Sequence, residues 1–185
     1  MRKIGFFLFL SLLIMAVAFT SCRKNDNGNA ADSGNEESTF DITFDGINAD
    51  PNHGDISPTK NVLMADVLSY ENKDKASSVK QADIQLGDCY IAIQGDEGAG
   101  TLKEVTVNVL DYTSASGSAY TYHADLTKIA LDGKDQTNSC VTFLTHLVNY
   151  LVTNKSINVE VIAKAGDQEI KNLKISLHAS VVFSW

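Results

Sequence analysis

No two of the three cysteines, Cys22, Cys89 and Cys140, are close enough in sequence to make the short-spaced pair of a zinc site or a redox dithiol. The four histidines, His53, His123, His146 and His178, are as scattered, with no HExxH and no His-x-His pattern. No GxSxG elbow marks a nucleophilic serine, and among many carboxylates no pair stands out as a glycosidase would require. The sequence therefore calls for no catalytic residue, no metal ligand and no cofactor, and hydrolysis is its weakest functional reading. Positive charge is also short: 15 Lys and Arg stand against 23 Asp and Glu, a formal charge of -8. Neutralising phosphates takes basic side chains, so this balance argues against a nucleic-acid partner.

What the chain does have is an abrupt change of character at one residue. Arg2 and Lys3 precede IGFFLFLSLLIMAVAFT, an apolar run suited to a signal segment. Ile4 to Phe19 gives 16 residues, short of the roughly 20 that a spanning helix wants. The run ends at Ser21-Cys22, a small residue directly before a cysteine. This resembles the lipobox of bacterial lipoproteins, apart from Phe19 where such signals usually carry an aliphatic residue. The resemblance covers the first 22 residues and implies that residues 1–21 are a signal peptide and that Cys22 is the lipid attachment site. Several acyl chains on one cysteine would anchor the protein stably, where a single chain binds only reversibly.

Arg23 after the cysteine, in place of the aspartate associated with inner-membrane retention, favours the outer membrane, either on its periplasmic face or at the cell surface. The long signal and the Asn-rich segment RKNDNGNAADSGNEEST resemble lipoproteins of Bacteroidota. That segment is too polar to bury a core, so residues 22–39 read as a flexible tether. Removing Arg2 and Lys3 leaves 13 basic against 23 acidic residues, a formal charge of -10 on the mature chain. Residues 40–185 are enough for one domain. With Cys22 lipidated, Cys89 and Cys140 are left as an even pair in an oxidising compartment, so a disulfide between them is expected, with two buried free thiols as the alternative.

Alternation dominates that domain. TFDITF sets Phe40, Ile42 and Phe44 against Thr39, Asp41 and Thr43, the period-2 pattern of a half-buried strand. LKEVTVNV, INVEVIA and AYTYHADL repeat it, and NVLMADVLSY and ADIQLGDCYIAIQ are further strand candidates, the latter broken at Gly87-Asp88. Turn-formers EGAG, SASG, LDGK and AGD punctuate the series. The longest pattern, LKISLHASVVFSW, places Leu173 through Trp185 in alternate inward positions. It implies a long central strand, bent or bulged near Val181 and Val182, with Trp185 as a core plug. One segment breaks the rule. In CVTFLTHLVNYLVTN, Thr142, Thr145, His146, Asn149 and Thr153 recur at three- and four-residue steps, opposite Cys140, Leu144, Leu147 and Leu151. That spacing predicts a helix. Seven or eight strands and one short helix point to a mainly β fold, a β-sandwich with immunoglobulin-like or other Greek-key connections; an incomplete β-barrel is the alternative.

Two surface features bear on function. FDGINADPNHGD offers Asp45, Asn48, Asp50, Asn52 and Asp55 as oxygen donors, but His53 stands where an EF-hand needs its glycine, so the stretch reads first as a turn-rich loop. Tyr112, Tyr120, Tyr122 and Tyr150 are the aromatics available to a glycan if they share a cleft. His123 and His178 fall on outward strand faces and read as solvated. A membrane-tethered β domain without catalytic motifs reads as a binding or structural module engaging an envelope protein, with glycan binding as the alternative.

Overall fold

The structure is a computed structural model and describes residues 33–53, 55–95, 101–113, 119–124, 126 and 133–185. The signal segment, Cys22 and most of the tether lie outside the described residues, as do the EGAG and SASG turns and the first half of LDGK. In chain order the elements are β1 (Asn35–Ala49), β2 (Asp55–Ile56), β3 (Lys60–Leu63), a one-turn helix α1 (Met64–Val67), a 3-10 segment (Tyr70–Ser78), β4 (Gln81–Gln94), β5 (Leu102–Thr113), β6 (Ala119–His123), β7 (Gly133–Asp135), α2 (Asn138–Asn154), β8 (Ser156–Ala165) and β9 (Ile170–Ser184). They make two open antiparallel sheets. The first has the order β1-β9-β4-β7; the second has the order β2-β8-β5-β6, with β3 also paired to β8. This is the mainly β, two-sheet architecture that the alternation implies, and it does not close into a barrel.

In the long strands the predicted inward residues follow their parity almost throughout. Phe40, Ile42 and Phe44 of β1, Val105, Val107 and Val109 of β5, and Ile157, Val159 and Val161 of β8 are buried. β9 is central in its sheet, flanked by β1 and β4, and Leu173, Ile175, Leu177, Ala179, Val181 and Phe183 all face the core. Trp185 is only partly buried: it packs at the end of the core and exchanges backbone hydrogen bonds with Gly34. The irregularities sit elsewhere than Val181-Val182. Between Phe44 and Ile47 β1 gains a residue on β9, at Gly46 with φ +71°, and below Leu173 β9 gains one on β1, at Asn172 with φ 56°. The largest is in β4: Ile84 faces Val181 and Cys89 faces Ala179, so five steps along β4 answer two along β9. The Gly87-Asp88 break is thus a bulge within one continuous strand.

α2 spans the predicted helix and starts two residues earlier. Thr137 caps it, its hydroxyl accepting from the Cys140 N–H at 3.3 Å. Cys140, Phe143, Leu144, Leu147, Val148, Leu151 and Val152 are buried, and the helix packs against β4 and β9 of the first sheet and β8 of the second. It ends at Lys155 in the left-handed conformation, φ 67°, whose N–H bonds the Leu151 carbonyl.

Three expectations need correction. The strand through Asn61–Tyr70 stops at Leu63, because the chain winds into one helical turn that buries Met64 and Leu68 while Asp66, which a strand would place on the same face, is exposed. Regular pairing begins at Asn35, so Asn35–Thr39 belong to β1, opposite Ser180–Ser184, and not to a flexible tether. Cys89 and Cys140 are not bonded to each other; both are free and buried. The Cys89 thiol points along its own strand to the Gln85 carbonyl at 3.4 Å, and Cys140 is packed among core side chains at the start of α2. They behave as small apolar residues.

Candidate functional site on the outer face of the first sheet

Pairing of β1, β9 and β4 sets Asp41, His178 and Tyr90 in one row across the solvent face. The His178 ring lies between two carboxylates, Nδ1 at 2.7 Å from Asp41 Oδ1 and Nε2 at 3.4 Å from Asp88 Oδ2. It stacks on Tyr90 with centroids 4.5 Å apart and planes inclined by 15°. Lys134 of β7 places its ammonium 3.7 Å from the centroid of the Tyr90 ring, a cation–π contact. Ser180 donates to the same Asp88 oxygen at 2.5 Å, and the Ser180 and His178 hydrogen bonds hold the Asp88 carboxyl below the usual carboxylate range. One row along, Thr43 and Ser176 share a hydrogen bond of 3.1 Å.

The β4 bulge gives this face its relief. Asp88 reaches back over β9 because the extra residues re-aim it. Beside it, Glu37, Ser38, Thr39, Gln85, Ser180 and Val181 line a groove of about 200 Å³. On the bulge itself Leu86 stands 63% exposed. Ser180 commits its proton to Asp88 and not to the histidine, so the sequence of contacts is Ser–Asp–His–Asp and lacks the hydroxyl-to-imidazole bond that would activate a nucleophile. The arrangement suits charge recognition and hydrogen bonding.

The other candidates separate. Tyr112 lies 5.1 Å from Tyr120 and 4.9 Å from Tyr150, and Tyr120 stacks on Phe143 and meets His146 edge-on. These rings pack on one another where β5 and β6 meet α2, and the Tyr150 hydroxyl donates to the Asp111 carbonyl at 2.5 Å. Tyr122 is buried, donating to the buried Asp135 carboxylate. Through Phe143 and one another, the four tyrosines pack into one corner. In the loop after β1, Asp50 accepts from the Asn52 N–H at 2.6 Å and the His53 N–H at 3.1 Å, bonds that lower its carboxyl pKa; it is a turn residue. Asn48 accepts from the Asn172 N–H at 3.3 Å. The Asp55 side chain lies outside the described residues. Among the described residues no three His, Cys, Asp or Glu side chains form a metal-binding group. His123 is largely exposed and hydrogen-bonds Thr106 on the opposite sheet.

Outward parity alone predicts a solvated His178, whereas its side chain is only 17% exposed. Its outward parity was legible, as was that of Asp41; that the strands bearing them are neighbours was not. The fold and site together define a two-sheet β-sandwich whose first sheet carries a polar, carboxylate-rich outer face. Compared with known proteins, the chain matches no family model, no curated protein and no solved structure.

Proposed function

We propose that this chain is an outer-membrane lipoprotein, anchored through lipid on Cys22, whose sandwich domain engages a protein partner through the outer face of its first sheet. The observation that carries the reading is the pairing of Leu86, an exposed aliphatic side chain on a raised bulge, with the polar groove beside it. An apolar anchor next to hydrogen-bonding groups is how protein interfaces concentrate their energy. Glu37, Asp41 and Asp88 give the face a negative bias, in keeping with the chain's formal charge of -8, and fit basic side chains on the partner. Glycan binding has less support, because both faces of Tyr90 are already covered, by His178 and Lys134, and the remaining tyrosine cluster is packed upon itself.

The test is site-specific photo-crosslinking in the producing cell. A photoreactive residue at Leu86 is expected to give a discrete protein adduct that Asp88→Lys abolishes, and the same residue at Glu104, on the opposite sheet, to give none. Cys22→Ala should release the protein from the membrane fraction. Equal adducts at both positions, or none at Leu86 alongside retention of a soluble polysaccharide, would overturn the reading.

A further inference from the structure

Gln85 to Asp88 have no partner residues in the β9 ladder, since the register passes directly from Ile84–Val181 to Cys89–Ala179. Their position on the sheet depends on side-chain contacts: Asp88 with Ser180 and His178, and the Cys89 thiol with the Gln85 carbonyl. His178 is in turn tied to β1 by Asp41. A neutral imidazole has one N–H donor and one lone pair, whereas the imidazolium has two donors. Both His178 nitrogens face carboxylate oxygens, so only the charged ring can donate to both. After loss of a proton, the 2.7 Å contact to Asp41 keeps the remaining N–H, and the 3.4 Å contact sets a lone pair against Asp88.

We infer that His178 is a pH-operated latch that tightens the β4 bulge on the sheet when protonated and loosens it when neutral, leaving Asp88 tied to β9 through Ser180 alone. The groups facing the ring set the sign. Asp41 comes from β1, Asp88 and the Tyr90 ring from β4, Ser180 lies two residues along β9, and Lys134 of β7 covers the far side of Tyr90. Removing the positive charge between two carboxylates leaves them facing a polar but neutral ring, with Lys134 the cation that remains beside Asp88. Because Gln85 lines the groove and Leu86 stands on the same bulge, loosening it changes the docking face; this consequence rests on the function proposed above, while the latch does not.

Nuclear magnetic resonance of the isotopically labelled protein, titrated through the histidine range of about pH 5 to 8, reads the latch without a partner. The Leu86 and Gly87 amides are expected to shift with the same midpoint as the His178 ring, while the Val159 amide in β8 stays in place. His178→Gln, which cannot change charge, should remove the shift, with the rest of the spectrum overlaying the parent. Asp88→Asn should retain the ring titration and lose the coupled movement at Gly87. Bulge amides that stay still, or that move equally in His178→Gln, would overturn the latch. Coupled amide shifts without a crosslink at Leu86 would refute the docking reading alone.

Discussion

Burial pushes the Cys140 thiol up to about 12, with Asp135 nearby adding to the effect. The Tyr122 phenol is raised as well, first by burial and then by its hydrogen bond to Asp135. In both cases the fold keeps a proton that the unfolded chain gives up more easily. A raised folded pKa means stability that is fully present below the unfolded value and is lost as pH rises toward the folded one. For the thiol the loss starts near the ordinary cysteine range, about 8.5, and for the phenol near about 10. The urea midpoint of the domain should therefore fall steadily above about pH 9. Cys140→Ala should flatten the first part of that fall, and Tyr122→Phe the later part. A decline unchanged in Cys140→Ala would mean that the thiol titrates as if solvated. None of this is legible in the sequence, where Tyr122 is an inward tyrosine, Cys140 a helix cysteine and Asp135 an acid with no pattern of its own; the cluster exists because β6, β7 and the start of α2 converge.

For whole elements, local periodicity carried most of the information. β1, β5, β8 and β9 are long enough for alternation to be unambiguous, and α2 repeats its polar face often enough to exclude a strand. Short elements escape: β7 has three residues, and α1 shows one helical spacing, from Met64 to Leu68. Bulges escape for a different reason, since an extra residue is defined only against a partner strand. The site inherits that limit. Asp41 and His178 are 137 residues apart, and Asp88 and His178 are 90 apart, so their row depends on strand order, which parity does not reveal. The last ladder position can be tested directly. A methyl group built on Gly34 would stand 2.8 Å from the Trp185 ring atoms Cε2 and Cζ2, closer than packed atoms allow, so Gly34→Ala must displace the indole. Trp185 is the sole tryptophan, which makes intrinsic fluorescence specific to it. Emission should shift to the red with a small loss of stability. An unchanged spectrum would mean that the indole does not lie on Gly34.

Across the molecule, the region from Asp32 to Trp185 forms one compact unit, and its first described strand pairs with its last. The folded region thus begins earlier than hydrophobicity suggests. Asn35–Thr39 contain no large apolar residue, yet they pair with Ser180–Ser184 and bind the end of α1 and the segment after it: the Glu36 carboxylate accepts from the Ser69 N–H at 2.6 Å and the Asn72 amide at 2.8 Å, and Ser38 donates to the Val67 carbonyl. Composition assigns them to the tether, while backbone pairing assigns them to the sheet. Two truncations decide which matters. A chain starting at Asp32 should match the parent in its urea midpoint. A chain starting at Phe40 loses the ladder on one side of Ser180–Ser184 and opens Phe183, now fully buried, to solvent. Full burial of such a side chain is worth roughly 1.5 to 3 kcal/mol, against a net domain stability of about 5 to 15 kcal/mol. β4 still pairs with that end of β9 through Gln81–Ile84, so the expected outcome is a folded domain with a clearly lower midpoint and red-shifted Trp185 emission. Equal midpoints for the two truncations would place the start of the stable domain at Phe40 and leave Asn35–Thr39 as tether.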